Sequence, residues 1–209
     1  MFVRSQAANV LKHLPDWGAA FGHFLLDSLL PPRCATCPEE IARGLGLCSS
    51  CWQKIRFIEV PVCHRFGTPF SHEIGPNALS PRAIASPPLF ERARAACLYD
   101  GPARDMVHAL KFSRRRELSE VMGRWMVRAG RELLVENSLL IPVPLHRRRL
   151  WSRQFNQAAD LSNFIARQSG ADYHPMLLVR SKKTSPQVGL TAKQREKNIR
   201  GAFKPGFPK

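Results

Sequence analysis

Four cysteines in two close pairs, Cys34-Ala-Thr-Cys37 and Cys48-Ser-Ser-Cys51, carry the clearest chemistry in the chain. Two residues between the sulfurs of a pair make a tight turn that aims both thiolates one way. Ten residues between the pairs let the second turn fold back on the first, with Gly44 and Gly46 supplying the backbone freedom. Four thiolates match the tetrahedral preference of zinc and leave no open position for water, so the expected role is structural. The alternative is two disulfides or free core thiols. It is weakened by the paired spacing and by the start MFVRSQAANV, which lacks a charged-then-apolar leader, so a reduced, cytoplasmic setting is expected. Cys63-His-Arg-Phe66 repeats the turn with Phe66 where a second sulfur belongs, and no later pair completes it. One zinc is therefore expected, with His64 and His72 read as solvated side chains and Cys97 as a small buried residue in a strand.

The second chemistry is positive charge. The 209 residues carry a formal net charge of +16. Residues 91–209 hold 24 Lys or Arg against 10 Asp or Glu, while residues 1–90 hold 8 against 6, so the field belongs to the C-terminal half. Such a surface attracts polyanions: nucleic acid, phosphorylated small molecules or anionic lipid. Arg114–Arg116 and Arg147–Arg149 could contact nucleic-acid phosphates, but no base-reading helix accompanies them, so any such binding is expected to be unspecific. His108 and His146 have no carboxylate at a spacing that would make them acid-base groups. The apolar stretch Gly18 to Leu30 is too short to cross a bilayer and is interrupted by His23 and Asp27, so no membrane span is expected.

The elements that must position these groups read as an α/β arrangement. Residues 1–30 suggest an amphipathic helical segment broken near Pro15, and residues 31–70 a zinc-ribbon module with too few aliphatic residues for its own core. Residues 71–90, rich in Pro, Ser, Ala and Gly, read as a linker or loop-rich lobe. From 91 the pattern alternates: a strand over Ala93–Tyr99, a short helix over Pro102–Phe112, and an amphipathic helix carrying Leu118, Val121, Met122, Trp125, Ala129 and Leu133 on one face. A buried strand over Leu139–Val143, a helix from about Arg153 to Arg167, a strand over Met176–Val179 and a last helix opened by the capping box Thr191–Gln194 follow. Strands separated by helices predict a parallel or mixed sheet. Trp52, Trp125 and Trp151 are expected to pack.

Several short motifs then occur in one order: the cysteine module, AACLYDGPA at 95–103, Leu110-Lys111-Phe112, IPVPLHRRR at 141–149, RQFNQ at 153–157 and TSPQVGLTAKQREKNIRGAF at 184–203. In this the chain resembles the ComF family, linked with competence and DNA uptake and including GntX-like proteins. The resemblance implies a zinc ribbon followed by a type I phosphoribosyltransferase-like (Rossmann-like) domain, which would bind phosphoribosyl pyrophosphate with magnesium. Neutralising a pyrophosphate group calls for Lys, Arg and a divalent ion. Carried onto this sequence, the pyrophosphate-binding candidates are Lys111 and the loop residues Arg147, Arg148, Arg149 and Arg153. The family's arginine-glycine-phenylalanine-asparagine-glutamine motif here has Gln154 in place of glycine. The acidic-pair strand and threonine-glycine loop that hold ribose and 5-phosphate do not occur within these residues. The expectation for residues 91–209 is therefore a partial, C-terminally truncated phosphoribosyltransferase-like domain with impaired transfer; the alternatives are a basic zinc-containing protein of DNA uptake that binds nucleic acid unspecifically, or an inactive remnant.

Overall fold

The computed structural model describes residues 31–42 and 46–206. The helical segment expected over 1–30 lies outside them, as does Gly44. The described chain opens with the ribbon, whose second cysteine pair starts the one-turn helix α1 (Ser49–Trp52). Residues 71–90 hold the short helix α2 (Pro81–Ala85), opened by Pro81 and capped by the Ser80 hydroxyl. They fold back on the second turn, with the His64 amide donating to the Ala78 carbonyl at 2.9 Å and the Ala93 amide to the Arg65 carbonyl at 2.8 Å.

The helix expected from Pro102 is α3 (Gly101–Phe112), and the amphipathic helix is α4 (Leu118–Ala129), continued by a 3-10 turn at Arg131–Leu133. Ribbon and helices share one core. Leu47, Ile55 and the buried sulfurs Cys34, Cys48 and Cys51 pack with Ala103, Met106 and Ala109 of α3 and with Leu118 and Val121 of α4. A module with too few aliphatic residues for a core of its own thus completes one with the helices that follow. Gly46 sits at this seam with φ +73°. A β-carbon there would lie 3.2 Å from both Leu118 and Val121, so only glycine satisfies turn and packing together. Trp52, Phe57 and Trp125 close the same face, with ring centroids 5.2–5.5 Å apart.

Beyond α4 the chain builds two separate strand pairs. Strand β1 (Leu139–Leu140) runs parallel to β2 (Asp172–Tyr173), in the register Leu139↔Asp172. Between them lie α5 (Arg147–Arg153) and α6 (Gln157–Ser169). The Asn156 side chain caps α6 through the Ala158 amide and also donates to the Val143 carbonyl at 3.2 Å, which ties α6 to the chain leaving β1. α6 lies against α4, where Gly123 gives room for the Phe164 ring. Strand β3 (Leu178–Arg180) pairs antiparallel with β4 (Phe203–Pro205), and the connection carries α7 (Ala192–Ile199), opened by the expected capping box.

Five expectations are corrected. The segment 93–99 makes only one isolated bridge, Phe57↔Cys97, flanked by the bonds Ile58 N–H to Ala96 and Leu98 N–H to Arg56, so Cys97 lies in extended chain and not in a full strand. The helix expected from Arg153 is two helices, because Gln154 takes the left-handed conformation at φ +67° and ends α5. The arginines expected in a loop after β1 stand on a helix, α5, which the His146 side chain caps through the Arg148 amide. Trp151 does not pack: it is 80% exposed. Finally, the expected strand 139–143 is hydrogen-bonded over only two residues, leaving Ile141 and Val143 exposed. An apolar cavity of about 600 Å³ lies beside it, lined among others by Cys97, Val107, Met122, Leu133 and Leu139.

Candidate functional site

Cys34, Cys37, Cys48 and Cys51 are brought together as expected. Their sulfurs all lie within 4.8 Å of one another, and Cys37 Sγ to Cys48 Sγ is 3.6 Å. Tetrahedral zinc with bonds of about 2.3 Å separates its sulfurs by roughly 3.8 Å, so the donor set fits the ion. The Cys48 amide donates to Cys34 Sγ at 3.4 Å, and the Thr36 and Ser50 hydroxyls lie 3.4 and 3.2 Å from Cys34 Sγ and Cys48 Sγ. The thiols are pulled apart electrostatically. Burial pushes Cys34 up, but the Thr36 hydroxyl and the amides of Cys48, Thr36 and Cys37 outweigh it and bring the thiol down to about 6. For Cys37 the Glu39 amide acts downward, yet burial and the three neighbouring sulfurs prevail and the thiol is pushed up to about 12. Four sulfurs this close cannot all ionise unaided, and a divalent cation removes that conflict.

The second turn repeats the backbone bonding of the first, with the Cys63 amide donating to the Thr68 carbonyl as the Cys34 amide does to Glu39, at 2.8 Å each, but it holds one sulfur in place of a pair. Cys63 is fully buried and accepts from the amides of Phe66 at 3.5 Å and Ser80 at 3.3 Å. Burial raises its thiol, and the Ser80 hydroxyl with the amides of Phe66, Ser80 and Arg65 more than reverse this, to about 7. Phe66 stacks edge-on against Phe90 at 5.7 Å, with the Arg82 guanidinium 5.1 Å from its ring centre. Among the described residues Cys63 belongs to no group of three or more metal-binding side chains.

A second constellation forms where α3, α5 and β3 meet. Arg153 at the end of α5 lies over the Phe112 ring at 5.0 Å and donates to Gln157 Oε1 at 3.2 Å. Arg149, one turn earlier, reaches the Thr184 carbonyl at 3.5 Å, and Arg180 donates to the Thr184 hydroxyl while its guanidinium sits 5.3 Å from the Phe203 ring centre. Burial and the Arg153 charge hold the Lys111 ammonium below its usual range. Burial and the Arg149 charge do the same to Arg153 and to Arg180. Among the described residues none of these four cations has a carboxylate partner. Four half-buried, mutually repelling cations without a counter-charge make a local field that favours an anion. Of the residues expected at such a site, Lys111, Arg149 and Arg153 come together. Arg147 and Arg148 stand apart, on the exposed side of α5 beside Trp151 and Gln154. Sequence reasoning missed Arg180. It lies just past the strand expected over Met176–Val179 and in none of the motifs singled out, and the β3–β4 pairing places it beside Phe203.

Residues 25–84 match the double zinc ribbon domain family. Over 185 residues, 86% of this chain and 80% of the relative, the sequence is 30% identical to the DNA utilization protein YhgH of Salmonella typhimurium. The chain belongs to the YhgH family. The YhgH protein of Escherichia coli K12 is 29% identical over the same shares, and competence protein F of Haemophilus influenzae 28% identical over 82% of this chain and 75% of its own length. No solved structure matches. In this YhgH-family chain the first ribbon has four cysteines positioned to bind zinc, while the second is closed by Phe66. None of the described helices is long and apolar enough to cross a membrane.

Proposed function

We propose that the chain is a phosphoribosyltransferase-like protein whose Lys111, Arg149, Arg153 and Arg180 bind the pyrophosphate of phosphoribosyl pyrophosphate or a closely related phosphorylated ligand. The observation that carries this reading is the uncompensated charge of the four-cation cluster. The order of ComF-type motifs in the sequence supports the substrate class. Magnesium would arrive with the ligand, since no carboxylate pairs with the cluster among the described residues. The reduced thiols that zinc needs suit a cytoplasmic location. Calorimetry with phosphoribosyl pyrophosphate and magnesium tests the reading, with saturable heat expected. Absence of heat at millimolar ligand overturns it.

A second reading is unspecific binding of nucleic acid, favoured by the names of the relatives and by residues 181–202. That connection between β3 and β4 carries Lys182, Lys183, Lys193, Arg195, Lys197 and Arg200 against Glu196 alone. Binding of single-stranded DNA with an affinity that falls steeply with salt would support it. If neither single-stranded nor duplex DNA shifts the protein at low salt, this reading fails.

A further inference from the structure

Three buried side-chain atoms among the described residues have no hydrogen-bond partner: Gln157 Nε2, Arg180 Nε and Gln187 Oε1. Buried polar atoms without partners are rare because each forfeits its bonds to water. Here two of the three are donors: one on Arg180, a member of the four-cation cluster, and one on Gln157, which is hydrogen-bonded to the cluster's Arg153. Gln157 is 7% exposed, and its other amide atom, Oε1, is engaged by Arg153. That bond fixes the amide's orientation, because a guanidinium can only donate, and so the unpartnered atom must be the NH2 group. Arg180 spends one terminal nitrogen on the Thr184 hydroxyl, leaving Nε, which lies in the plane of the guanidinium fork, without an acceptor. The third orphan, Gln187, follows Thr184 by three residues, and Thr184 is the acceptor shared by Arg149 and Arg180.

From this we infer that Gln157 and Arg180 are direct ligand-binding residues: their free N–H groups donate to oxygens of a bound pyrophosphate group. The inference rests on the anion-site reading above and sharpens it. A site built from point charges alone would accept any anion, including the backbone of a nucleic acid. Directed donors among the charges, the neutral Gln157 amide and the planar Arg180 fork, select a compact group that presents several oxygens. Inorganic pyrophosphate should therefore bind better than orthophosphate at equal ionic strength.

The test uses calorimetry of inorganic pyrophosphate, with and without magnesium, on the purified chain and three variants whose folding is checked by thermal melting. Gln157→Glu keeps the acceptor for Arg153 and strengthens that pair, but replaces the free donor with a repelling carboxylate. It should melt at or above the wild-type temperature and bind pyrophosphate at least about tenfold more weakly. Arg180→Lys keeps the charge and removes the fork, and should lose about as much. Arg147→Ala, outside the cluster, should bind within about twofold of wild type. If the wild-type chain gives no heat with pyrophosphate, the anion-site reading itself falls. If the wild type binds and Gln157→Glu and Arg180→Lys bind equally well, the anion site stands and the assignment of these two donors is overturned.

Discussion

The two ribbon turns share a backbone and differ in what closes them. At the first, four sulfurs meet within coordination distance, with the Cys34 thiol lowered to about 6 and the Cys37 thiol raised to about 12, a conflict that a bound cation would remove. At the second, one sulfur remains, held by the amides of Phe66 and Ser80, and Phe66 packs edge-on against Phe90. Amide-to-sulfur bonds shape a turn whether or not metal follows. Closure is a separate problem, solved by coordination where the sulfurs are complete and by packing where they are not.

The comparison is broken most severely by removing metal from the first turn. Zinc binding in small ribbons releases roughly 10 kcal/mol or more, comparable to the whole stability of a domain. Chelation, or Cys48→Ser, should therefore abolish tertiary structure well beyond the ribbon, because α3 and α4 share its core. Loss of near-ultraviolet circular dichroism from the Trp52–Phe57–Trp125 cluster, in parallel with zinc loss, checks this, and the intact chain should carry one zinc. Phe66→Ala should cost about 2 kcal/mol in a denaturant melt, less than a fully buried phenylalanine because the ring is half-exposed, and should leave the zinc content unchanged. Cys63→Ser should cost about 1 kcal/mol, again with zinc retained. The smallest effect is a pH dependence of that last difference. With its thiol lowered to about 7, Cys63 stabilises the fold fully above its ordinary value near 9 and loses the contribution as pH falls through 7. The stability gap between wild type and Cys63→Ser should widen from pH 7 to 9; a gap that stays flat or narrows would refute the amide cradle.

How far the sequence could be read depended on whether a feature was local. The cysteine spacing, the Pro-opened α3, the amphipathic α4 and the Thr191 capping box are short-range patterns, and each is found where the sequence predicts it. The break between α5 and α6 was missed because nothing in residue type announces that Gln154 takes a left-handed conformation. The place of glycine in the family's motif hinted at it, and the φ of +67° explains the hint. Arg180 was missed because its inward face follows from pairing with Phe203, more than twenty residues away. Trp151 misled for the opposite reason: its hydrophobicity suggests burial, but α5 presents it outward. The cluster Lys111, Arg149 and Arg153 was legible as three cations on nearby motifs, whereas the separation of Arg147 and Arg148 from them came only with the helix.

The segment from Ser181 to Ala202 has a consequence of its own. Its helix buries no side chain and is held by its Thr191–Gln194 cap and by bonds from Asn198 to Ser185, all within the segment. An eight-residue helix without tertiary packing is marginal in water. Its amides should exchange with solvent far sooner than those of α4. With a lysine or arginine at nearly every turn, it is also where trypsin should first nick the folded protein, yielding two fragments that stay associated through the β3–β4 pairing.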